Sequence, residues 1–70
     1  MTDGDELRKA IEEAGVSIVF LSEKIGKSRG RIYAIIRGAD CTASEIAGLS
    51  EALHLTRERR DHIFLSKSVN

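Results

Sequence analysis

Residues 17–38 read S-I-V-F-L-S-E-K-I-G-K-S-R-G-R-I-Y-A-I-I-R-G. Apolar residues recur at three- and four-residue spacing on both sides of Gly26, which is the spacing of two short amphipathic helices. Ser17 and Ser28 stand before the two segments as suitable N-caps, and Gly38 closes the second segment. The stretch therefore predicts two helices joined by a tight turn that begins at Gly26.

Three further helices are predicted around this pair, since the same apolar spacing recurs and strand-like alternation is sustained nowhere. The first should begin at Asp3 or Gly4 and end at Gly15, a favourable C-terminal residue. The fourth should follow a cap at Thr42 or Ser44, where the run T-A-S-E permits a capping box. The residues expected to face the core are Leu7, Ala10, Ile11, Ala14, Leu21, Ser22, Ile25, Ile32, Ile35, Ile36, Ile46, Leu49, Leu53, Ile63 and Phe64.

Length and composition fit one compact all-α domain of five helices. The chain has 70 residues, of which 4% are aromatic, so the core must be largely aliphatic. Thr56 can cap the fifth helix, which would cover R-E-R-R-D-H-I-F-L. We expect residues 1–70 to form a single domain, with an ordered core over about residues 4–65 and a frayed tail at 66–70.

The formal net charge is zero, but the charges are unevenly distributed. Residues 3–13 hold five acidic side chains against two basic ones, whereas residues 24–37 hold five basic side chains and no acid. The basic segment includes the second helix of the pair. Residues 17–37 therefore have the layout of a helix-turn-helix whose second helix is expected to contact a nucleic acid.

Several other kinds of site are not predicted. Cys41 is the only cysteine, so it has no partner for an internal disulfide. His54 and His62 have no third ligand near them in the sequence, and no metal site is expected. Catalytic and phosphate-loop motifs are missing, so neither an enzyme activity nor a cofactor is expected. An acidic, polar beginning and the lack of a long apolar run predict a soluble, cytoplasmic protein.

The segment L-S-E-K-I-G-K-S-R-G-R-I-Y-A-I-I-R-G at residues 21–38 carries a family resemblance. Its glycine, serine and apolar positions match the pattern of the lambda-repressor-like, Cro-type (XRE-type) helix-turn-helix domains of phage and bacterial regulators. The resemblance covers roughly residues 5–65. The run S-E-I-A-G-L-S-E-A-L-H-L looks like the family's fourth helix, and R-D-H-I-F-L looks like a small phage-associated subset.

This resemblance implies a sequence-specific regulator of transcription that binds double-stranded DNA, of Cro or repressor type and of phage or prophage origin. Its third helix would enter the major groove. A single domain of this size contacts only a short stretch of DNA. A two-fold homodimer that binds half-sites about one helical turn apart is therefore expected. The dimer surface is expected near residues 38–41 and the fourth and fifth helices.

By the same resemblance, residues at the start of the third helix meet base edges. Arg29 is the expected main base reader, because arginine can make a bidentate contact with guanine. The alternative for Arg29 is an ordinary solvated side chain. The neighbouring base-reading positions are Ser28, Gly30, Tyr33 and Ala34.

Phosphate contacts are expected from Lys27, Arg31 and Arg37, which would give affinity and register rather than sequence choice. Arg31 could equally form a salt bridge with an acid on the first or second helix. Ser17 could donate a hydrogen bond to a phosphate, but its role as an N-cap is sufficient to explain it.

The chain departs from the family pattern at three points. Ile18 stands where the family often has a glutamine that contacts the DNA backbone, and Lys27 stands where an apolar residue is usual. Ile11 and Ile36 stand where the family often pairs an arginine with a glutamate. Two packed aliphatic residues can replace a buried ion pair without loss of stability, so we expect Ile11 and Ile36 to touch.

The run Ile18-Val19-Phe20 supports a competing function. Only about one of these three residues can face the core. The run either packs against the first and last helices or forms a surface for another protein, since exposed apolar clusters tend to mark interfaces. In the second case the protein would be an interaction module, such as an antirepressor or repression modulator that binds another regulator.

Overall fold

The computed structural model describes residues 1–65, and the predicted frayed tail at 66–70 lies outside the described residues. It confirms the five-helix, all-α fold. The helices are α1 (Gly4–Ala14), α2 (Ile18–Ile25), α3 (Arg29–Ile36), α4 (Ala43–Ala52) and α5 (Arg57–Phe64). Leu65, which was predicted to lie within the fifth helix, is instead the residue that caps its C-terminal end.

Every helix begins at a side chain that accepts a hydrogen bond from the backbone three residues later. The caps are Asp3, Ser17, Ser28, Thr42 and Thr56. Gly15 and Gly26 end α1 and α2 with φ values of 70° and 69°, in the left-handed region that glycine adopts without strain. Short polar residues therefore set the start of every helix in residues 1–65, and glycines set the ends of α1 and α2, as predicted, whereas α3, α4 and α5 end at Arg37, Leu53 and Leu65.

Aliphatic residues from all five helices form the core. The fully buried large side chains are Leu7, Leu21, Ile32, Ile35, Leu49 and Ile63. Ile11 is buried, and Ile36 is half-buried and packs against the same cluster. One core prediction is wrong: Ala14 is exposed, because it lies in the last turn of α1 beside a surface cavity rather than under another helix.

Two glycines permit close helix contacts. A Cβ on Gly48 of α4 would stand 2.8 Å from the Cγ2 atom of Ile25, so α2 and α4 cross closely at this point. Ser22, which was expected to permit a close crossing, is buried and donates a hydrogen bond of 2.9 Å to the Val19 carbonyl. Gly4 of α1 lies against the backbone of Ile36, so α1 closes over the end of α3.

The packing leaves one face of α3 uncovered. α3 packs against α1 and α2, and α2 also packs against α4. Ile32 and Ile35 point into this core, so the side of α3 opposite them faces solvent.

Candidate nucleic-acid interface

The exposed face of α3 and the turn before it hold most of the predicted DNA-contacting residues. Lys27, Ser28, Arg29, Gly30, Tyr33 and Arg37 are all exposed. Ala34 is half-buried at the edge of the same face. The structure therefore places exposed polar and basic side chains along α3 and at both of its ends, while the opposite side of α3 is buried in the core.

Three cations of this face have no anionic partner within residues 1–65. Lys27, Arg29 and Arg37 take part in none of the ion pairs there. Ser28 accepts a hydrogen bond of 3.1 Å from the Arg31 backbone N–H, which secures the first turn of α3. The N-terminal end of a helix carries a positive partial charge, so this end of α3 favours anions such as phosphate.

Arg31 is directed away from this exposed face. Its Nε atom lies 2.8 Å from Oε2 of Glu45, and its Nη2 atom lies 2.9 Å from Oε1 of the same carboxylate. Nη2 also donates a hydrogen bond of 2.7 Å to the Asp40 carbonyl. The alternative of a salt bridge for Arg31 is thus realised, but with an acid on α4 rather than on α1 or α2.

The Glu45 carboxylate binds Arg31 of α3 and also caps the N-terminal end of its own helix, α4. Its side chain is only 2% exposed, and its Oε1 atom also accepts a hydrogen bond of 2.9 Å from the Thr42 backbone N–H. The Thr42 hydroxyl oxygen in turn accepts a hydrogen bond from the Glu45 backbone N–H, which completes the predicted capping box. The hydrogen bond from Arg31 is the main reason that the pKa of Glu45 is lowered to about 2, and the Thr42 N–H acts in the same direction.

Ser17 caps α2 and remains exposed. Its hydroxyl accepts a hydrogen bond of 3.0 Å from the Phe20 backbone N–H. The capping role is therefore present, and the hydroxyl hydrogen is left able to donate to a phosphate.

The Ile18-Val19-Phe20 run divides between the core and the surface. Ile18 is half-buried and packs against the core, whereas Val19 and Phe20 are 46% and 43% exposed. Phe20 lines a surface cavity of about 480 Å³, together with residues at the end of α1 and in the α4–α5 connection. One aliphatic and one aromatic side chain thus remain partly exposed at the start of α2.

Sequence reasoning did not find the role of Glu45. The run T-A-S-E indicated that Glu45 would cap α4, but it carried no sign that Arg31 would share the carboxylate. A second interhelical pair, between Arg59 of α5 and Glu13 of α1, was also not predicted. Both pairs join residues that are distant in sequence, and their signal is only the presence of opposite charges.

The remaining titratable residues form no further site in the described part of the chain. Burial raises the pKa of the Cys41 thiol, which makes it a weaker nucleophile at neutral pH. His54 and His62 are exposed. Between residues 1 and 65 there is no cluster of three His, Cys, Asp or Glu side chains that could hold a metal ion. Nor is any helix there long and apolar enough to cross a membrane.

Comparison with known protein families places the chain. A family model described as helix-turn-helix matches residues 7–59, which extend from α1 into the start of α5. No curated protein and no solved structure matches the chain.

Proposed function

Since the chain belongs to the lambda-repressor-like helix-turn-helix family, whose members bind DNA and regulate transcription, we propose that it is a sequence-specific regulator of Cro or repressor type. It acts in the cytoplasm on double-stranded DNA, and its C-terminal run R-D-H-I-F-L supports an origin in a phage or prophage. The observation that carries this proposal is the outer face of α3, which is exposed and basic while its inner face is buried.

In this proposal α3 lies in the major groove and Arg29 reads base edges. Arg29 is the first residue of α3, is exposed, and is free of ion pairs among residues 1–65. A guanidinium so placed can reach the O6 and N7 atoms of guanine. Ser28, Gly30, Tyr33 and Ala34 complete the base-reading set.

Lys27, Arg37 and Ser17 contact phosphates in this proposal. Lys27 precedes α3 and Arg37 follows it, so the two cations can neutralise phosphates on either side of the groove. Ser17 adds a donor at the start of α2. Arg31 is not among these phosphate contacts, because its guanidinium is paired with Glu45.

We further propose that two copies bind DNA as a two-fold dimer through the α4–α5 groove, which is lined by Ala43, Ile46, Ala47, Ser50, Arg60, Asp61 and Leu65. Leu65 is 59% exposed at this groove. A two-fold arrangement would place Leu65 of each copy on the groove of the other. The Nη2 atom of Arg60 lies 2.9 Å from Oδ1 of Asp61, and both side chains are partly exposed. In a two-fold dimer each copy would therefore present both a positive and a negative charge to its partner across the symmetry axis.

The decisive experiment measures binding to random-sequence duplex DNA across a salt series, followed by selection of preferred sequences. We expect affinity to fall steeply with salt, because each neutralised phosphate releases counterions. We also expect the selected pool to contain a palindromic site. Failure to bind duplex DNA even at low salt would overturn the proposal.

A second candidate function rests on the exposure of Val19 and Phe20. We propose, as the alternative, that this surface binds another regulatory protein, so that the domain acts as an antirepressor or repression modulator. In that case Phe20→Asp should abolish binding of the partner without unfolding the domain, since Phe20 is 43% exposed. If Phe20→Asp leaves regulation intact while Arg29→Ala abolishes it, the DNA-binding function is supported instead.

A further inference from the structure

Arg31 and Glu45 join two helices that do not pack directly on each other. Within residues 1–65, α3 has close backbone contacts with α1 and α2 but none with α4. Apart from the apolar side chains that α3 and α4 contribute to the shared core, the two helices are joined within residues 1–65 by the connecting residues 37–42 and by the Arg31–Glu45 ion pair. The pair is well placed to control how α3 is oriented.

Three hydrogen bonds hold the guanidinium of Arg31 in place between the two helices. Two of them form a fork on the Glu45 carboxylate, and the third holds the Asp40 carbonyl in the connecting loop. Among the residues that the structure describes, Nη1 is the one guanidinium nitrogen of Arg31 without an acceptor. The planar fork gives a defined geometry, which a single point charge would not.

The link acts on the turn of α3 that carries the proposed base reader. Arg31 lies two residues after Arg29, and its backbone N–H also bonds the Ser28 cap. Gly30 stands between the two arginines and weakens the helix locally, because glycine has the greatest conformational freedom. An anchor at position 31 therefore restricts a turn that is otherwise weakly held.

We propose that Arg31, held by Glu45, is a positioning residue that fixes the first turn of α3 and thereby sets the sequence preference of Arg29. This inference rests on the proposed DNA-binding function. Glu45 provides the sharpest test, because a buried carboxylate makes no favourable contact with DNA. Any effect of Glu45 on sequence preference must act through its neighbours.

The test compares the wild-type chain with Arg31→Gln, Arg31→Lys, Glu45→Gln and the double variant Arg31→Gln/Glu45→Gln. Glutamine at position 45 retains a capping-box side chain, and lysine at position 31 retains the positive charge without the fork. Each protein is assayed on a duplex selected from a random pool and on a scrambled duplex of equal length. Circular dichroism sets a temperature at which every variant is folded.

We expect all four variants to lose preference for the selected duplex by about 5- to 150-fold, the discrimination that one bidentate arginine–guanine contact supplies. The dependence of affinity on salt should stay unchanged. The double variant should be no worse than either single variant, because both substitutions break the same link. Arg59→Gln, which breaks the pair between α5 and α1, is the matched control and should retain full preference.

Three outcomes would overturn the inference while leaving the DNA-binding function intact. The first is unchanged preference in the folded Glu45→Gln variant. The second is equal weakening of both duplexes by Arg31→Gln, with a reduced salt dependence and rescue by Arg31→Lys, which would identify Arg31 as a phosphate contact. The third is an equal loss of preference in Arg59→Gln. Failure of the wild-type chain to bind any duplex would instead overturn the proposed function and the inference together.

Discussion

A Cβ atom on Gly4 would overlap the carbonyl oxygen of Ile36. The first residue of α1 thus lies directly against the backbone at the end of α3. A backbone carbonyl cannot rotate aside as the end of a long side chain can, so this contact admits only glycine without a shift of the helices. The contact therefore fixes where α1 crosses α3.

The Gly4→Ala variant should be less stable by about 1–3 kcal/mol or more, because the added methyl group forces α1 away from α3. Urea unfolding measures this change. Gly30→Ala is the matched control, since its Cβ would have only Ser28 Oγ within 4 Å, at 3.8 Å. That control should be neutral or more stable by up to about 1 kcal/mol, as expected for glycine replacement in a helix. Equal unfolding midpoints for wild type and Gly4→Ala would show that the two helices can separate freely.

Acid should weaken the fold through Glu45. Its folded-state pKa of about 2 lies below the ordinary value of 4.5 for a glutamate, so its contribution to stability is present above pH 4.5 and is lost as the pH falls towards 2. The contribution is roughly 1–3 kcal/mol once the partial exposure of Arg31 is allowed for. The measurement is the free energy of unfolding at several pH values for wild type and Glu45→Gln. The difference between the two proteins should shrink below pH 4.5, and parallel curves would contradict this assignment.

Arg29→Ala should reduce the preference for the selected DNA site by about 1–3 kcal/mol, because it removes the proposed guanine contact. Lys27→Ala should weaken binding to all sequences alike. It should also reduce the slope of log affinity against log salt concentration by about 1, the effect of losing one phosphate contact. Quantitative binding to selected and scrambled duplexes separates the two effects. Arg57→Ala, an exposed arginine on α5, serves as the control and should change neither quantity. If Arg29→Ala weakened both duplexes equally, Arg29 would be a phosphate contact.

Leu65→Asp should prevent formation of the proposed dimer, because it places a charge in the apolar α4–α5 groove. Analytical ultracentrifugation in the presence and absence of the selected duplex measures the association. Val19→Asp makes the same kind of change at an exposed apolar residue on α2 and should leave the dimer intact. A dimer that survives Leu65→Asp but not Val19→Asp would place the contact at the start of α2.

Interactions between residues close in sequence were predicted correctly, whereas interactions between residues distant in sequence were not. The caps at Ser28 and Thr42 were predictable, because each cap bonds a backbone group only three residues away. The pairing of Arg31 with Glu45 was not, because it depends on the path of the loop between α3 and α4. Ala14 was predicted to be buried from helical periodicity alone, which does not reveal that no neighbouring helix covers the last turn of α1.

The candidate site was predictable to a similar extent. Helical spacing correctly placed Ile32 in the core and left Arg29 and Tyr33 exposed. The division of the Ile18-Val19-Phe20 run was left open by the sequence, because all three residues are apolar. It is decided by the neighbouring helices, which cover Ile18 and leave Val19 and Phe20 in solvent.

The separation of the two faces of α3 also bears on how such a protein diversifies. Arg29 and Tyr33 are exposed, whereas the stability of the helix comes from Ile32 and Ile35 on the opposite face. Substitutions on the outer face therefore carry little penalty in folding free energy. If α3 reads DNA as proposed, a lineage can exchange one set of recognised sequences for another by changing these outer residues while the core beneath them stays the same.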